Sequence, residues 1–376
     1  MKKIQMVELH EQYLKIKNEI DAAMQDVINT TAFINGPQVV RFQDELKKYL
    51  NVKHVIGCAN GTDALQIAMM ALDLKAGDEI ITTAFTFVAT VEVVALLGLK
   101  PVFVDVNPDT FNIDPVAIEK AITLKTKAIV PVHLFGQCAD MQKIKAIAEK
   151  NKLFIIEDTC QAIGADYHFE NGTTLKAGTI GEIGCLSFFP SKNLGCYGDG
   201  GALLTNNDAL AEQLKIVVNH GMKIRYYHDM VGVNSRLDAL QAAILNVKLK
   251  YLDQYIDARN KAASYYNQAF SNHPKIMTPF KDANSTHVFH QYTLKLKNVD
   301  QFKLQEYMNS KGIPVMIYYP VPLHLQKAYR YLGYKEGDLP VTEQLCKSVI
   351  SLPMHTELDE EQLSFITTNL LDYLSK

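Results

Sequence analysis

The sequence predicts an α/β protein in which a large domain, built on a mostly parallel seven-stranded sheet, precedes a smaller α+β domain. Seven short and nearly continuous apolar runs occur before residue 207, and segments of helix length separate most of them. The regular alternation then stops. Strands that alternate with helices form parallel sheets that are covered by helices on both faces.

The seven apolar runs are rich in Val, Ile or Phe, which is typical of strands buried on both faces. They lie at residues 54–59, 78–83, 101–106, 128–135, 154–159, 184–189 and 201–206. Between them, apolar side chains recur at helical spacing over residues 62–74, 86–98, 139–151 and 208–218. Residues 190–200 join the last two runs without a helical pattern, and such loops in α/β domains are often functional.

The C-terminal part mixes helical and strand patterns without strict alternation, which indicates an α+β domain. One long helical stretch runs over residues 236–271, and strands are predicted at 288–296 and 314–319. Further helices are predicted near residues 300–311, 341–349 and 359–374. We place the domain boundary within the long helix. Residues 1–250 then form the large domain with an N-terminal arm, and residues 251–376 form the small domain.

Composition and charge disfavour several classes of protein. The 376 residues carry 38 Lys and Arg against 41 Asp and Glu, so there is no excess of cationic side chains for a nucleic-acid backbone. No secretory signal pattern follows Met1, and no apolar run is long enough to cross a membrane. The six cysteines are scattered without a C-x-x-C pair, which is typical of reduced thiols in a cytoplasmic protein. We therefore expect a cytoplasmic protein without nucleic-acid or membrane partners.

Three groups suited to chemistry follow predicted strands, at the edge where α/β sheets bind ligands. Asn60, Gly61 and Thr62 form a small turn before a helix, whose N–H groups and dipole favour a phosphate. Asp158 ends a buried strand, where a carboxylate is suited to face a cationic group. Lys192 follows a buried strand and a proline, and a desolvated lysine there can lose its proton and act as a nucleophile. Each feature alone also fits a helix cap or a surface residue.

Together the three groups suit pyridoxal phosphate (PLP). The lysine is placed to form a Schiff base and the carboxylate to keep the pyridine nitrogen protonated, while the helix end and the hydroxyl of Ser187 bind the phosphate. A nicotinamide dehydrogenase is disfavoured because the G-x-G-x-x-G fingerprint is absent. A metal hydrolase is disfavoured because His133, His220 and His228 lack the spacing of metal ligands.

Several longer segments carry a family resemblance. They include ANGTDAL (59–65), FTFVAT (85–90), HLFGQCADM (133–141), IEDTCQAIGA (156–165), SFFPSKNLGCYGDGGALLTN (187–206) and GVNSRLDALQAAIL (232–245). In these segments the chain resembles the DegT/DnrJ/EryC1/StrS family of PLP-dependent nucleotide-sugar aminotransferases, and the likeness covers nearly the whole chain. It implies an aspartate-aminotransferase-like fold, known as PLP fold type I.

The resemblance implies a role for each residue that matches a motif of the family. Lys192 would be the Schiff-base lysine and proton shuttle. Asp158 would pair with the pyridine nitrogen, and Gln161 would lie near the ring hydroxyl. Three residues would bind the cofactor phosphate, namely Gly61, Thr62 and Ser187.

The resemblance also implies contacts with the ring, the substrate and a second subunit. Phe87 would stack on the cofactor ring, while Arg236 and Tyr319 would contact the substrate. Tyr318, where related proteins often have His, would belong to the same substrate site. Asn234 would reach the phosphate of the neighbouring subunit's cofactor, because the family's active site lies at a dimer interface. We therefore expect a homodimer with shared active sites.

Four segments are most similar to one subgroup of the family, namely CANGTDALQIA (58–68), GQCADM (136–141), FFPSKNLGCYGDGG (188–201) and GVNSRLD (232–238). Members of this subgroup transfer an amino group from glutamate to C3 of UDP-2-acetamido-2-deoxy-3-oxo-glucuronate, for bacterial surface polysaccharide such as the O-antigen of lipopolysaccharide. A dTDP-linked 3-keto or 4-keto deoxysugar is the alternative substrate, and a non-catalytic binding protein is the alternative of another class. A related dehydratase branch has histidine in place of the lysine, whereas this chain keeps Lys192.

Overall fold

The structure, a computed structural model, describes residues 2–375. The α-helices are α1 (His10–Thr30), α2 (Pro37–Leu50), α3 (Gly61–Ala71), α4 (Ala89–Leu96), α5 (Pro115–Ala121), α6 (Met141–Asn151), α7 (Asp208–Val217), α8 (Ala239–Leu249), α9 (Leu252–Ala269), α10 (Gln301–Ser310), α11 (Pro340–Cys346) and α12 (Glu360–Leu374). The strands are β1 (His54–Cys58), β2 (Glu79–Thr83), β3 (Lys100–Val104), β4 (Thr126–Ile129), β5 (Phe154–Asp158), β6 (Asp166–His168), β7 (Thr174–Lys176), β8 (Ile183–Ser187), β9 (Gly201–Thr205), β10 (Met222–Ile224), β11 (Tyr227–His228), β12 (Ile276–Met277), β13 (Tyr292–Leu296) and β14 (Val349–Leu352).

The large sheet confirms the predicted architecture. Its strand order is β1-β9-β8-β5-β4-β2-β3, and each of the seven predicted runs contributes one strand. The strands from β8 to β3 in this order are parallel, and β9 is antiparallel to both of its neighbours. The carboxyl ends of β1, β5 and β8 therefore meet at one edge of the sheet, where α/β proteins bind ligands.

Helices cover both faces of this sheet, because its strands send alternate side chains into two different cores. On one face, Leu65 of α3 packs in a buried cluster with Leu203 of β9. On the other face, Phe42 of α2 packs in a separate cluster with Leu204 of β9. Burial on both faces explains why the strands are apolar along nearly their whole length.

The C-terminal part of the chain has its own core. A cluster of buried side chains joins α9, α10 and α12 to the antiparallel sheet of β12, β13 and β14, and Ile4 packs into the same cluster. The long predicted helix is divided, since α8 ends at Leu249 and α9 begins at Leu252. The domain boundary near residue 250 falls at this break and stays a prediction.

The structure differs from the sequence prediction in two strands. The strand predicted at 314–319 is reduced to a single bridge from Met316 to β14, and its first residue, Pro314, has no N–H to donate. The strand predicted from residue 288 begins only at Tyr292, since Phe289 has a φ of 44°, which is not extended backbone, and its carbonyl accepts a hydrogen bond from the side chain of Arg259. The N-terminal arm contains α1 and α2, whose bounds the sequence analysis did not predict.

Lys248 of α8 is a buried cation. Only 1% of its surface is exposed, and its Nζ atom lies 5.4 Å from the centroid of the Tyr197 ring. Burial lowers the pKa of the Lys248 ammonium group to about 8, because the charged form loses its solvation. The folded state therefore holds this proton less tightly than the unfolded chain does.

We expect Lys248 to contribute a rise in the free energy of unfolding as the pH goes from about 8 to about 10, because at this group the unfolded chain binds more protons than the folded chain in this range. Lys248→Met should remove this rise. At pH 7 the same variant should stabilise the protein, by on the order of 3 kcal/mol before any loss of packing. Urea denaturation at both pH values measures the effect. The exposed Lys215→Met serves as the control and should show the same pH dependence as the wild type; the prediction is contradicted if Lys248→Met shows that same pH dependence.

Candidate active site

The candidate active site lies where β1, β5 and β8 end, beside the loop of residues 190–200. A Cβ atom on Gly61 would lie 2.7 Å from Cβ of Ser187 and 2.9 Å from Sγ of Cys160. The turn after β1, the end of β8 and the segment after β5 are therefore packed against one another. A residue larger than glycine at position 61 would force them apart.

The first turn of α3 offers hydrogen-bond donors to this site. Asn60 caps the helix, and its side chain accepts a hydrogen bond from the N–H of Asp63 at 2.8 Å. The N–H groups of Gly61 and Thr62 have no acceptor within the helix, as is usual at a helix start. With the helix dipole and the hydroxyl of Ser187, they are suited to an anion, and we call the three residues predicted to bind the cofactor phosphate, Gly61, Thr62 and Ser187, the phosphate cradle.

Two consecutive carboxylates end β5, and they point to opposite faces of the sheet. Glu157 is fully buried, and one of its oxygens lies 2.9 Å from Nε2 of His133. Nδ1 of His133 accepts the N–H of Ala139, so the imidazole proton is on Nε2 and is donated to Glu157. Three backbone N–H groups also donate to Glu157, those of Gly178, Ile180 and Gly181. Glu157 is thus fully used in holding the fold.

Asp158 keeps part of its hydrogen-bonding capacity. The residue is only 5% exposed, and backbone hydrogen bonds to Pro131 and from His133 hold it on both sides. Its Oδ2 accepts the hydroxyl of Thr90 at 2.8 Å, and its Oδ1 accepts the N–H of Cys160 at 3.3 Å. A carboxylate has about four acceptor positions, so Asp158 can accept a further donor from a bound cationic group.

Lys192 is partly buried in the loop after β8. Burial lowers the pKa of its ammonium group, and the nearby Cys160 thiol and Asp158 carboxylate oppose this effect. The next residue anchors the loop, because the side chain of Asn193 donates to the carbonyl of Val288 at 2.8 Å. The amine is thereby held near Asp158, and it loses its proton more readily than a surface lysine.

Gln161 has one fixed amide orientation. Its Oε1 accepts the N–H of Phe135 at 2.7 Å, so Nε2 is the atom that donates to Tyr319 Oη at 3.3 Å. Tyr319 accepts here and keeps its own hydroxyl proton for another partner. Its ring packs edge-on against Phe85, and the ring of Tyr318 lies 5.9 Å away between centroids. The structure therefore brings these three predicted site residues together.

Three other predicted site residues are not bonded to this group. Phe87 is 56% exposed, Asn234 is exposed and Arg236 is partly buried. Across residues 2–375, their side chains form no hydrogen bond or ion pair with the other predicted site residues. The segment that carries Asn234 and Arg236 is nevertheless fixed beside α3, since Ser235 Oγ donates to Asp63 Oδ2 at 2.6 Å.

Three residues at the site are not predicted from the sequence, although all of them lie in segments that resemble the family, namely Thr90, Cys160 and Ser235. A hydroxyl or thiol in a turn has no spacing pattern of its own. Its partners are also distant along the chain: Thr90 is 68 residues from Asp158, and Ser235 is 172 residues from Asp63. Only folding brings these groups to the site.

Among residues 2–375, no group of three or more His, Cys, Asp or Glu side chains is arranged to hold a metal ion. In the same residues, no helix has both the length and the apolar character that crossing a membrane requires.

A lysine of lowered pKa, a carboxylate with spare acceptor capacity and helix N–H groups suited to an anion are the groups that a PLP-dependent enzyme of fold type I requires. The sequence pattern of the DegT/DnrJ/EryC1/StrS aminotransferase family matches residues 14–371. The chain therefore belongs to this family. The predicted resemblance, fold class and cofactor are confirmed.

Individual relatives span almost the whole chain. The chain is 47% identical over 372 residues to the pleiotropic regulatory protein of Geobacillus stearothermophilus, with 98% of each chain covered. It is 45% identical over 367 residues to the UDP-2-acetamido-2-deoxy-3-oxo-D-glucuronate aminotransferase of Pseudomonas aeruginosa, which covers 98% of this chain and 99% of that one. Among solved structures, S. venezuelae DesV in complex with a ketimine intermediate has a TM-score of 0.95 at 34% identity, with 100% of both chains covered.

The residues present fit the cofactor of the family. The phosphate cradle offers N–H and hydroxyl donors to the phosphate, and the spare acceptor capacity of Asp158 suits the N–H of a pyridinium ring. Glycine at position 61 allows the close packing of the cradle, because a Cβ atom there would collide with Ser187. Lys192 supplies the amine that such a cofactor needs.

We expect Glu157→Ala to lower the free energy of unfolding by about 3–5 kcal/mol, because it leaves the buried His133 and three backbone N–H groups, those of Gly178 and Ile180 being buried, without this acceptor. Urea denaturation measures the loss. The exposed Glu212→Ala is the control and should change stability by less than about 0.5 kcal/mol. The prediction fails if Glu157→Ala unfolds at the urea concentration of the wild type.

Proposed function

We propose that this protein transfers the amino group of glutamate to C3 of UDP-2-acetamido-2-deoxy-3-oxo-glucuronate, which releases 2-oxoglutarate and gives a diamino uronic acid. One observation carries the proposal: Lys192, Asp158 and the phosphate cradle lie together in a chain that is 45% identical to the Pseudomonas enzyme of that name. The product would enter bacterial surface polysaccharide, such as the O-antigen of lipopolysaccharide.

Pyridoxal phosphate, when bound, supplies a carbonyl carbon that combines reversibly with amines and a conjugated ring that accepts an electron pair. In our proposal the phosphate cradle binds its phosphate, and Phe87 packs on the ring. Asp158 holds the proton on the ring nitrogen and so keeps the ring electron-poor. Gln161 lies near the ring hydroxyl.

Lys192 moves the proton in both halves of the proposed reaction. With glutamate bound, its amine takes the proton from the α-carbon and delivers it to the reactive carbon of the cofactor. With the keto sugar bound, the transfers run in reverse, and Lys192 delivers a proton to C3 of the sugar. A base that must also act as an acid works best with a pKa near the operating pH, and burial moves the pKa of Lys192 in that direction.

The substrate side of the site is assigned to Arg236, Tyr318 and Tyr319. A guanidinium group pairs with a carboxylate through two hydrogen bonds, and both glutamate and the uronic acid carry a carboxylate. The hydroxyl proton that Tyr319 keeps is suited to an oxygen of the substrate. Tyr318 provides a second phenol beside it.

Two alternative functions require different groups at the site. A dTDP-linked 3-keto or 4-keto deoxysugar has no uronic carboxylate for Arg236. A non-catalytic binding protein on the same scaffold has no need of a lysine and a carboxylate held together, so the presence of Lys192 near Asp158 favours catalysis.

We also propose a homodimer with shared active sites. The hairpin of β10 and β11 carries apolar side chains that are largely exposed, since Ile224, Tyr226 and Tyr227 are 65%, 75% and 69% exposed. Contiguous exposed apolar side chains often mark protein interfaces. Asn234, shortly after the hairpin, is exposed and is assigned to the phosphate of the partner's cofactor. The six cysteines are free, which supports the proposed cytoplasmic location.

We expect Lys192→Ala to abolish turnover and Asp158→Asn to reduce it strongly. The first variant removes the proton carrier, and the second weakens the hold on the ring proton. The visible absorption spectrum of the holoenzyme measures both halves of the reaction. Glutamate should change the wild-type spectrum to that of the amine form of the cofactor, and the UDP keto uronate should restore the original spectrum. Restoration by a dTDP keto sugar alone would overturn the proposed acceptor, and multiple turnovers by pure Lys192→Ala would overturn the proposed role of the lysine.

We expect co-expressed Lys192→Ala and Asn234→Ala chains to regain activity that neither variant has alone. If each site takes Lys192 from one subunit and Asn234 from the other, a mixed dimer has one intact site, and random mixing gives roughly a quarter of wild-type activity. Lys192→Ala mixed with Asp158→Asn is the control, since both residues come from the same subunit, and it should show no activity beyond the residual activity of Asp158→Asn. An inactive first mixture would show that the sites are not shared.

A further inference from the structure

Two threonines next to Asp158 form a chain of buried hydroxyl groups. Thr90 Oγ1 lies 2.8 Å from Asp158 Oδ2, and Thr86 Oγ1 lies 3.3 Å from Thr90 Oγ1. Thr86 is 2% exposed and Thr90 is fully buried. Neither threonine takes part in the proton transfer described above.

The direction of these hydrogen bonds follows from the chemistry of the groups. An ionised carboxylate can only accept, so Thr90 donates its single hydroxyl proton to Asp158. Thr90 then has no proton left for Thr86, and Thr86 must be the donor in the contact between the two hydroxyls. The hydroxyl relay, namely Thr86 and Thr90, therefore directs both of its protons toward the carboxylate.

We propose that the hydroxyl relay is a positioning device for the cofactor ring. Thr90 fixes one oxygen of Asp158, and the N–H of Cys160 holds the other at the longer distance of 3.3 Å. Together they set the plane of the carboxylate. A carboxylate in a fixed plane accepts the N–H of a pyridinium ring without losing rotational freedom at that moment. The inference rests on the role proposed for Asp158.

The position of the relay in the chain links it to the proposed ring contact of Phe87. Thr90 lies in the first turn of α4, four residues after Thr86, and Phe87 lies between them. Phe87 is 56% exposed, whereas both threonines face the interior. The short connection from β2 to α4 thus presents an aromatic ring to the site and holds the carboxylate from within.

Thr90→Val tests the relay, because it keeps the shape of the side chain and removes the hydroxyl. We expect pyridoxal phosphate to leave the holoenzyme roughly tenfold faster or more, because a hydrogen bond to a charged group is lost. The visible absorption band of the bound cofactor should shift as well. Thr86→Val should show a smaller effect in the same direction. Thr90→Ser restores the donor and should return both readouts close to those of the wild type.

Thr82→Val is the matched control. Thr82 is fully buried on β2, and its hydroxyl donates to the carbonyl of Val130 at 2.8 Å instead of to Asp158. This variant should lose stability but retain the cofactor as the wild type does. The relay is overturned if Thr90→Val retains the cofactor like the wild type, if Thr82→Val loses it as fast as Thr90→Val, or if Thr90→Ser fails to rescue.

Asp158→Asn distinguishes a failure of the hydroxyl relay from a failure of the role proposed for Asp158. Wild-type cofactor retention in Asp158→Asn would overturn the proposed role of Asp158, and the relay with it. Rapid loss from Asp158→Asn together with wild-type retention in Thr90→Val would overturn the relay and leave the role of Asp158 standing.

Discussion

The buried carboxylate of Glu157 is the interaction on which the rest of the site depends. It accepts N–H groups from the segment that leads into β8 and the imidazole proton of His133, which follows β4. These bonds join the end of β5 to the segment before β8 and to the segment after β4. They thereby hold Asp158 and Ser187 at the edge of the sheet. A carboxylate that holds the fold thus stands next to one that remains open to a ligand, on opposite faces of one strand.

The lysine loop depends on contacts from the C-terminal part of the chain. Asn193 donates to the carbonyl of Val288, and Arg259 donates to the carbonyls of Phe289 and Met354 close by. Burial lowers the pKa of Arg259 to about 10, because the guanidinium group loses solvation inside the protein. A buried cation that binds carbonyl groups fixes backbone that belongs to no strand or helix, so the loop that carries the lysine is held from outside the large sheet.

The two parts of the chain therefore meet at the site. The large sheet provides the phosphate cradle, Asp158 and the lysine loop, while the C-terminal part provides Tyr319, whose hydroxyl accepts from Gln161. Gln161 is itself oriented by the backbone N–H of Phe135. In our proposal the cofactor is held by the large domain, and the substrate is met by groups from both sides.

The strands of the large sheet and the chemical groups at its edge are visible in the amino-acid sequence. All seven strands coincide with apolar runs, because a strand buried on both faces must be apolar along its length and such a run is visible locally. Asp158 is predicted because it lies at the end of such a run, and Lys192 because it lies three residues after another. The strand predicted at 314–319 does not form beyond a single bridge, since strand formation depends on a partner far along the chain. For the same reason, no local pattern shows that Glu157 is fully bonded while Asp158 stays open and is held by Thr90. The folding of distant segments onto the two faces of β5 determines which donors reach each carboxylate.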